Sequence, residues 1–304
     1  MGRDVCEASE AARGVFEAAD AALGFSLSRL CFEGPEEELL RTEIQQPAIL
    51  TTGIALLRAL EEETEVAPDY NAGHSLGEYT ALVASGSLSF EDAVRTVHAR
   101  GRFMQEAVPE GRGAMAAVIG SSPEDVDLAC KVARAETRKV VSPANYNGPR
   151  QTVISGDALA VEVACSHARR EGARRTIPLT IPLTVSAPFH CALMTPAADK
   201  LALELARVRF QDARPSVVTN VEATPNHAGV RFRELLKSQV TAPVRFTEMV
   251  ERMVDLGVTR FLEVGPGRVL TGLVARIARP VERANLGCCG DLAAAARFAA
   301  GGRA

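Results

Sequence analysis

The chain has 304 residues and a formal net charge of −4, with 47% hydrophobic residues and no tryptophan. It is long enough to bury a large core, and its acidic balance excludes the basic surface that nucleic acid needs. No run reaches the roughly 18 apolar residues of a membrane helix, the opening MGRDVCEASEAARG has no signal-peptide core, and seven cysteines without a C-x-x-C pair read as reduced thiols. The expectation is a cytoplasmic protein that engages neither membrane nor nucleic acid.

The first hundred residues predict helices around one short strand. In QQPAILTTGIALLRALEEET, Pro47 suits a first helical position, and apolar residues nearly all round from Ala48 to Leu60 predict a deeply buried helix. PDYNAG is a weak strand. A helix from Leu76 to Ala84 ends before Gly86. Ser89 caps the next, with Glu91 and Asp92 in its positive first turn.

The middle changes rhythm. GAMAAVIG, RKVVSPANY, QTVISG and RRTIPLTIPLTV read as strands, with helices at SPEDVDLACKVARAE and DALAVEVACSHARREGA. That β-α-β-β-α-β order is the ferredoxin-like plan. The tetrapeptide IPLT occurs twice in succession, Ile177–Thr180 and Ile181–Thr184, an even insertion that keeps strand alternation. After His190, strand and helix alternate again through PSVVTNVEA, APVRFTEMVERMVDLGV, TRFLEVG and RVLTGLVARIA, which favours a parallel sheet covered by helices. The alanine- and glycine-rich tail DLAAAARFAAGGRA predicts fraying. The expected fold is α/β: an α/β-hydrolase-like core with a parallel sheet from residues 1–111 and 185–304, with an inserted ferredoxin-like α+β subdomain at 112–184.

The stretch NAGHSLGEYTALVASG, residues 71–86, carries the chemistry. Ser75 stands between Gly73 and Gly77 at G-x-S-x-G spacing, with a strand predicted before it and a helix after. Small flanking residues let the two backbones approach, and the helix start offers N–H groups to an anion formed on hydroxyl attack. A structural glycine–serine turn would show the same letters. A serine nucleophile needs a base. Of five histidines, His74 adjoins the serine and should point away to pack the elbow. His98 lies inside a predicted helix, and His167 and His227, among polar residues, read as solvated. His190 remains, in SAPFHCALM, where a strand gives way to a helix; the alternative is a capped or core histidine. No aspartate stands out as a third member, and a backbone carbonyl could orient the imidazole.

Arg100 falls on the apolar stripe of its helix with Ala93, Val97, Phe103 and Met104, whereas Arg95 and Arg102 lie opposite. A guanidinium on a buried face needs an anionic or strongly polar partner. A substrate carboxylate, an internal salt bridge and a snorkelling side chain all meet that need. Arg169, Arg170, Arg174 and Arg175 cluster near a helix end, either as a solvated terminus or as a surface for an acidic partner. The glycines of GPGRVLTG are weak evidence for phosphate binding, and no metal motif is present.

With these residues in view, the chain resembles the malonyl-CoA:acyl carrier protein transacylases and, more widely, polyketide synthase acyltransferase domains. GHSLGEYTALVASG, RGRFMQEAVPEGRGAMAAVIG, VSPANYNGPRQTVISG, SAPFHCALMTPAADKLA and EVGPGRVLTG match in order and spacing. The resemblance implies Ser75 as nucleophile and His190 as its base, with Arg100 gripping the malonyl carboxylate. It implies that the main-chain carbonyl of Gln239 orients His190, that Leu76 N–H serves the oxyanion hole, and that Phe189 crowds an α-methyl branch. The implied partners are malonyl-CoA and an acyl carrier protein that brings its own phosphopantetheine, with no cofactor or metal held by the chain, which acts as a monomer. Family members open with a strand and a GQGSQ-like loop; MGRDVCEAS resembles the segment just after that loop, so Met1 is expected to be an internal methionine taken as the start. Loss of the loop's oxyanion donor would cost about a hundred- to a thousand-fold in rate. The rival expectations are a serine esterase or thioesterase on the same elbow, and a truncated, non-catalytic acyltransferase-like binding protein.

Overall fold

Strands separated by helices pair in parallel here, and the strands of the middle segment form an antiparallel sheet. The computed structural model describes residues 1–179 and 187–301. Its strands are β1 (Tyr70–Ala72), β2 (Gly113–Ile119), β3 (Val141–Gly148), β4 (Gln151–Asp157), β5 (Arg175–Pro178), β6 (Ser216–Val218), β7 (Pro225–Asn226), β8 (Arg260–Val264) and β9 (Glu282–Leu286). The parallel pairs are β1 with β6 and β8 with β9, and β7 adds antiparallel to β6. The second IPLT and the strand residues predicted beyond Leu179 lie outside the described residues, as does the 184/185 junction.

The antiparallel sheet runs β3-β4-β2-β5, the order of the ferredoxin-like plan read from the sequence. Its two helices, Pro123–Thr137 and Ala158–Arg170, cover one face. Their apolar stripes meet the sheet in a core of their own, with Val118, Val126, Cys130, Val141, Ile154 and Val161 buried together. The free edge of β3 docks on the rest of the chain through main-chain bonds. Tyr146 N–H donates to Val244 O at 2.9 Å and Val244 N–H to Ala144 O at 2.8 Å.

The main core gathers around the 22-residue helix Thr42–Glu63. This helix begins five residues before Pro47, so the expectation that Pro47 opens it is corrected. A proline inside a helix leaves the carbonyl four residues earlier without its donor. That carbonyl belongs to Glu43, and His98 Nδ1–H of the Phe90–Glu106 helix donates to it at 2.8 Å. His98 is therefore a structural clip between two helices. The predicted fraying of the tail is likewise corrected over Leu292–Ala299, which is helical and buries Ala295 against the main core; residues 302–304 lie outside the described residues.

The Thr42–Glu63 and Phe90–Glu106 helices touch backbone to backbone at Gly101. A Cβ there would lie 2.6 Å from Glu43 Cα and 2.6 Å from Thr42 O. Gly101→Ala is therefore expected to destabilise the fold by about 1–3 kcal/mol through overpacking. Thermal denaturation checks this: a Tm equal to that of the native protein would contradict so close an approach.

Candidate active site

Strand β1 ends at Ala72, and the helix Gly77–Ala84 starts five residues later. The intervening turn puts Ser75 at φ 51°, in the left-handed region that non-glycine residues seldom enter. Of the two flanking glycines, Gly73 has a measurable reason. A Cβ on Gly73 would sit 2.0 Å from the carbonyl carbon and oxygen of Gly77, so the chain can fold back on itself only without that atom. Leu76 N–H, beside the serine, donates to no acceptor among the described residues and stands free at the helix start.

His190 meets Ser75 from 115 residues away. Its Nδ1–H donates to the main-chain carbonyl of Gln239 at 2.8 Å, which fixes the tautomer. Nε2 is then the acceptor, and Ser75 Oγ–H donates to it at 2.8 Å. His190 is 3% exposed and has φ 60°, a second left-handed residue facing the first. Burial, reinforced by the nearby Arg100 charge, holds its imidazole down at about 3. The ring is thus neutral and able to accept a proton.

Arg100 is 2% exposed. Its Nη1 donates to Gln46 Oε1 at 2.6 Å, and its Nη2 to Ser75 Oγ and Gln239 Oε1, each at 3.0 Å. The guanidinium lies 5.6 Å from the centre of the Tyr79 ring. Among the described residues no carboxylate forms a hydrogen bond or ion pair with it, and Nε has no partner. The internal salt bridge considered from spacing is not formed, and the side chain does not snorkel. Burial pulls the Arg100 pKa down, yet a guanidinium stays charged.

The structure thus brings Ser75, Leu76, Arg100, His190 and Gln239 together. Phe189, next to His190, is half-buried against the main core. His74 points elsewhere, as expected: its Nε2–H donates to Asn147 Oδ1 at 2.8 Å and its ring rests against Phe246, tying the elbow to the end of β3. At the start of the helix after the GPG turn, Leu270 N–H and Thr271 N–H are already taken by the Glu263 carboxylate, at 2.9 and 2.6 Å. Arg169, Arg170, Arg174 and Arg175 are all exposed, and Arg169 bonds only neighbouring hydroxyls of Thr176 and Ser166.

A family profile described as "Acyl transferase domain" matches residues 1–287. The malonyl CoA-acyl carrier protein transacylase of Escherichia coli K12 is 50% identical over 262 residues, which cover 86% of this chain and 83% of the relative. The Bacillus subtilis protein of the same name is 48% identical over 283 residues, 93% of this chain and 87% of the relative. Among solved structures, a malonyl-transacylase in complex with its type II polyketide acyl-carrier protein superposes with TM-score 0.93 at 43% identity, covering 98% of this chain and 94% of that one. The Vibrio cholerae acyl carrier protein S-malonyltransferase gives TM-score 0.93 at 41% identity, over 97% and 94%.

This chain belongs to the acyl transferase family.

Three polar residues of this acyltransferase's site escaped the sequence reading. Gln46, the partner of Arg100, stands immediately before Pro47 as a buried polar residue. Glu78 sits one residue beyond the elbow, and Asn220 just past β6. Both are fully buried. Their one visible signal was a polar side chain where the surrounding pattern called for an apolar one.

The lowered pKa of His190 has a defined sign. Between its usual 6.5 and about 3 the unfolded chain binds the proton and the folded one does not, so this contribution to stability is present above 6.5 and is lost as pH falls toward 3. On acidification from about pH 7 to about pH 4, Tm is expected to fall more steeply for the native protein than for His190→Gln. Equal slopes in a pH series of melting curves would reject a buried, neutral His190.

Proposed function

We propose that this acyltransferase carries a malonyl group from coenzyme A to the phosphopantetheine thiol of an acyl carrier protein, by way of a malonyl ester on Ser75. In the first half-reaction Ser75 Oγ attacks the thioester carbonyl as His190 Nε2 takes the hydroxyl proton. The carbon–sulfur bond breaks, and His190 returns the proton to the departing coenzyme A sulfur. In the second, the carrier's thiol gives its proton to His190 and attacks the ester. Ser75 leaves and recovers the proton. Gln239 O holds the imidazole in the tautomer that both steps need, and Leu76 N–H faces the oxyanion.

The observation that carries this reading is the buried guanidinium of Arg100, which touches the Ser75 hydroxyl and no carboxylate. A free carboxylate at the far end of the acyl group supplies the missing anion. A serine hydrolase could use Ser75 and His190 but has no use for such a cation. The names of the relatives support the same substrate and partner. We assign to Phe189, the residue before His190, the crowding of a branched acyl chain. The chemistry rests on serine and imidazole alone, so the chain needs no cofactor of its own, and we assign it to the cytoplasm as a monomer.

Labelled malonyl-CoA is expected to leave malonate on the Ser75 peptide, read by mass spectrometry, and the label should pass to carrier protein on its addition. Rapid release of free malonate without carrier would identify a hydrolase instead. Arg100→Ala is expected to lower malonyl relative to acetyl transfer by about one to two decades, the worth of a charge-assisted pair of about 1.5–3 kcal/mol. An unchanged malonyl-to-acetyl ratio would remove the clamp.

A further inference from the structure

The carboxylate of Glu78 takes no part in these half-reactions, yet it is fully buried at the centre of the site. Its Oε2 accepts two hydrogen bonds, from Asn220 N–H at 2.9 Å and from Gln239 Nε2 at 2.9 Å. Each donor residue leads to the reacting groups. Asn220 brackets the elbow: its Oδ1 accepts from Ser75 N–H at 2.7 Å and its Nδ2 donates to Gly73 O at 2.6 Å. Gln239 offers its main-chain carbonyl to His190 and its Nε2 to Ser75 O at 3.0 Å. Its Oε1 faces Arg100. The nucleophile, the base and the cation are thus all reached from one carboxylate oxygen through a single residue.

The Gln239 amide also separates opposite charges. Glu78 Oε2 lies on its nitrogen side and Arg100 Nη2 on its oxygen side, at 2.9 and 3.0 Å. Direct contact between the two would satisfy Arg100 and leave little for a substrate. With an amide between them, the negative charge helps to keep a buried guanidinium inside the protein while its N–H groups stay open to a second carboxylate.

We propose, on the malonyl-transfer reading, that Glu78 is the positioning residue of this site: it fixes Gln239 and Asn220, and its charge, insulated from Arg100 by the Gln239 amide, sets how tightly Arg100 holds a substrate carboxylate. The charged and titratable groups acting on Glu78 are Arg100, which favours its ionised form, Glu222, which opposes it, and the phenol of neighbouring Tyr79. Burial outweighs these and raises the carboxyl to about 7. Below that pH Glu78 is neutral and Arg100 attracts malonyl with its full charge; above it the buried anion offsets part of that attraction. The KM for malonyl-CoA should therefore rise with pH through neutrality, whereas that for acetyl-CoA should not.

The test is the kinetics of Ser75 acylation by malonyl-CoA and acetyl-CoA, measured on the full chain from about pH 6 to about pH 8. Glu78→Gln keeps an oxygen acceptor and removes the charge. At about pH 8 its malonyl-CoA KM is expected to fall roughly three- to tenfold below the native value and to lose its pH dependence, with the acetyl-CoA KM nearly unchanged. Glu78→Ala is expected to lower kcat for both donors by roughly tenfold or more, and Glu78→Gln to restore most of it. If Glu78→Ala does not fold, the glutamine variant decides alone. A glutamine variant that keeps the native pH dependence of malonyl KM, or that shifts both donors together, overturns the proposal. Native protein that leaves no malonate on Ser75 sinks the transfer reading and this proposal with it.

Discussion

A guanidinium in the protein interior without a touching carboxylate is the constraint on which the rest of this site depends. Removing such a charge from water is costly unless dipoles and more distant charges replace the lost hydration. Here the replacements are the oxygens of Gln46 and Gln239, the Ser75 hydroxyl and the face of Tyr79. Each comes from a different part of the chain. The helix that carries Arg100 can reach Gln46 only because Gly101, the next residue, lets two helical backbones touch. A packing detail between two helices thus decides where the cation lies.

The joint between the two bodies follows the same logic. The antiparallel sheet has its own core and is anchored by the edge of β3 on Val244. His74 and Asn147 close the same joint from the elbow side. Residues 74 and 75 therefore face opposite ways by necessity: one ties the turn to its neighbour, and the other presents a hydroxyl to His190. In sequence they are merely adjacent. In space they divide the tasks of holding and reacting.

Much of this was legible in the sequence where the signal is local. The Gly73–Ser75–Gly77 spacing identified the elbow, the stripe of Ala93, Val97, Phe103 and Met104 placed Arg100 inside, and strand–helix order gave both the ferredoxin-like sheet and the α/β core. Gln46, Glu78 and Asn220 were not legible, because each owes its role to a partner 54 to 161 residues away. Pro47 misled for a related reason. A proline inside a helix is tolerable when another element supplies the missing donor, and His98 does so from the next helix but one. The tail at Leu292–Ala299 reads as prone to fray because it is a chain end, and it is held by contacts with the main core that its position in the chain does not reveal.

Ser75 and His190 share one further property. Both hold backbone angles that cost an L-residue about 1 kcal/mol and that glycine would adopt at ease. Selection for a durable chain alone would place glycine at the two positions where the hydroxyl and the imidazole stand. The enzyme is therefore less robust than its own fold permits, and that forgone robustness is the trace left on the backbone by its chemistry.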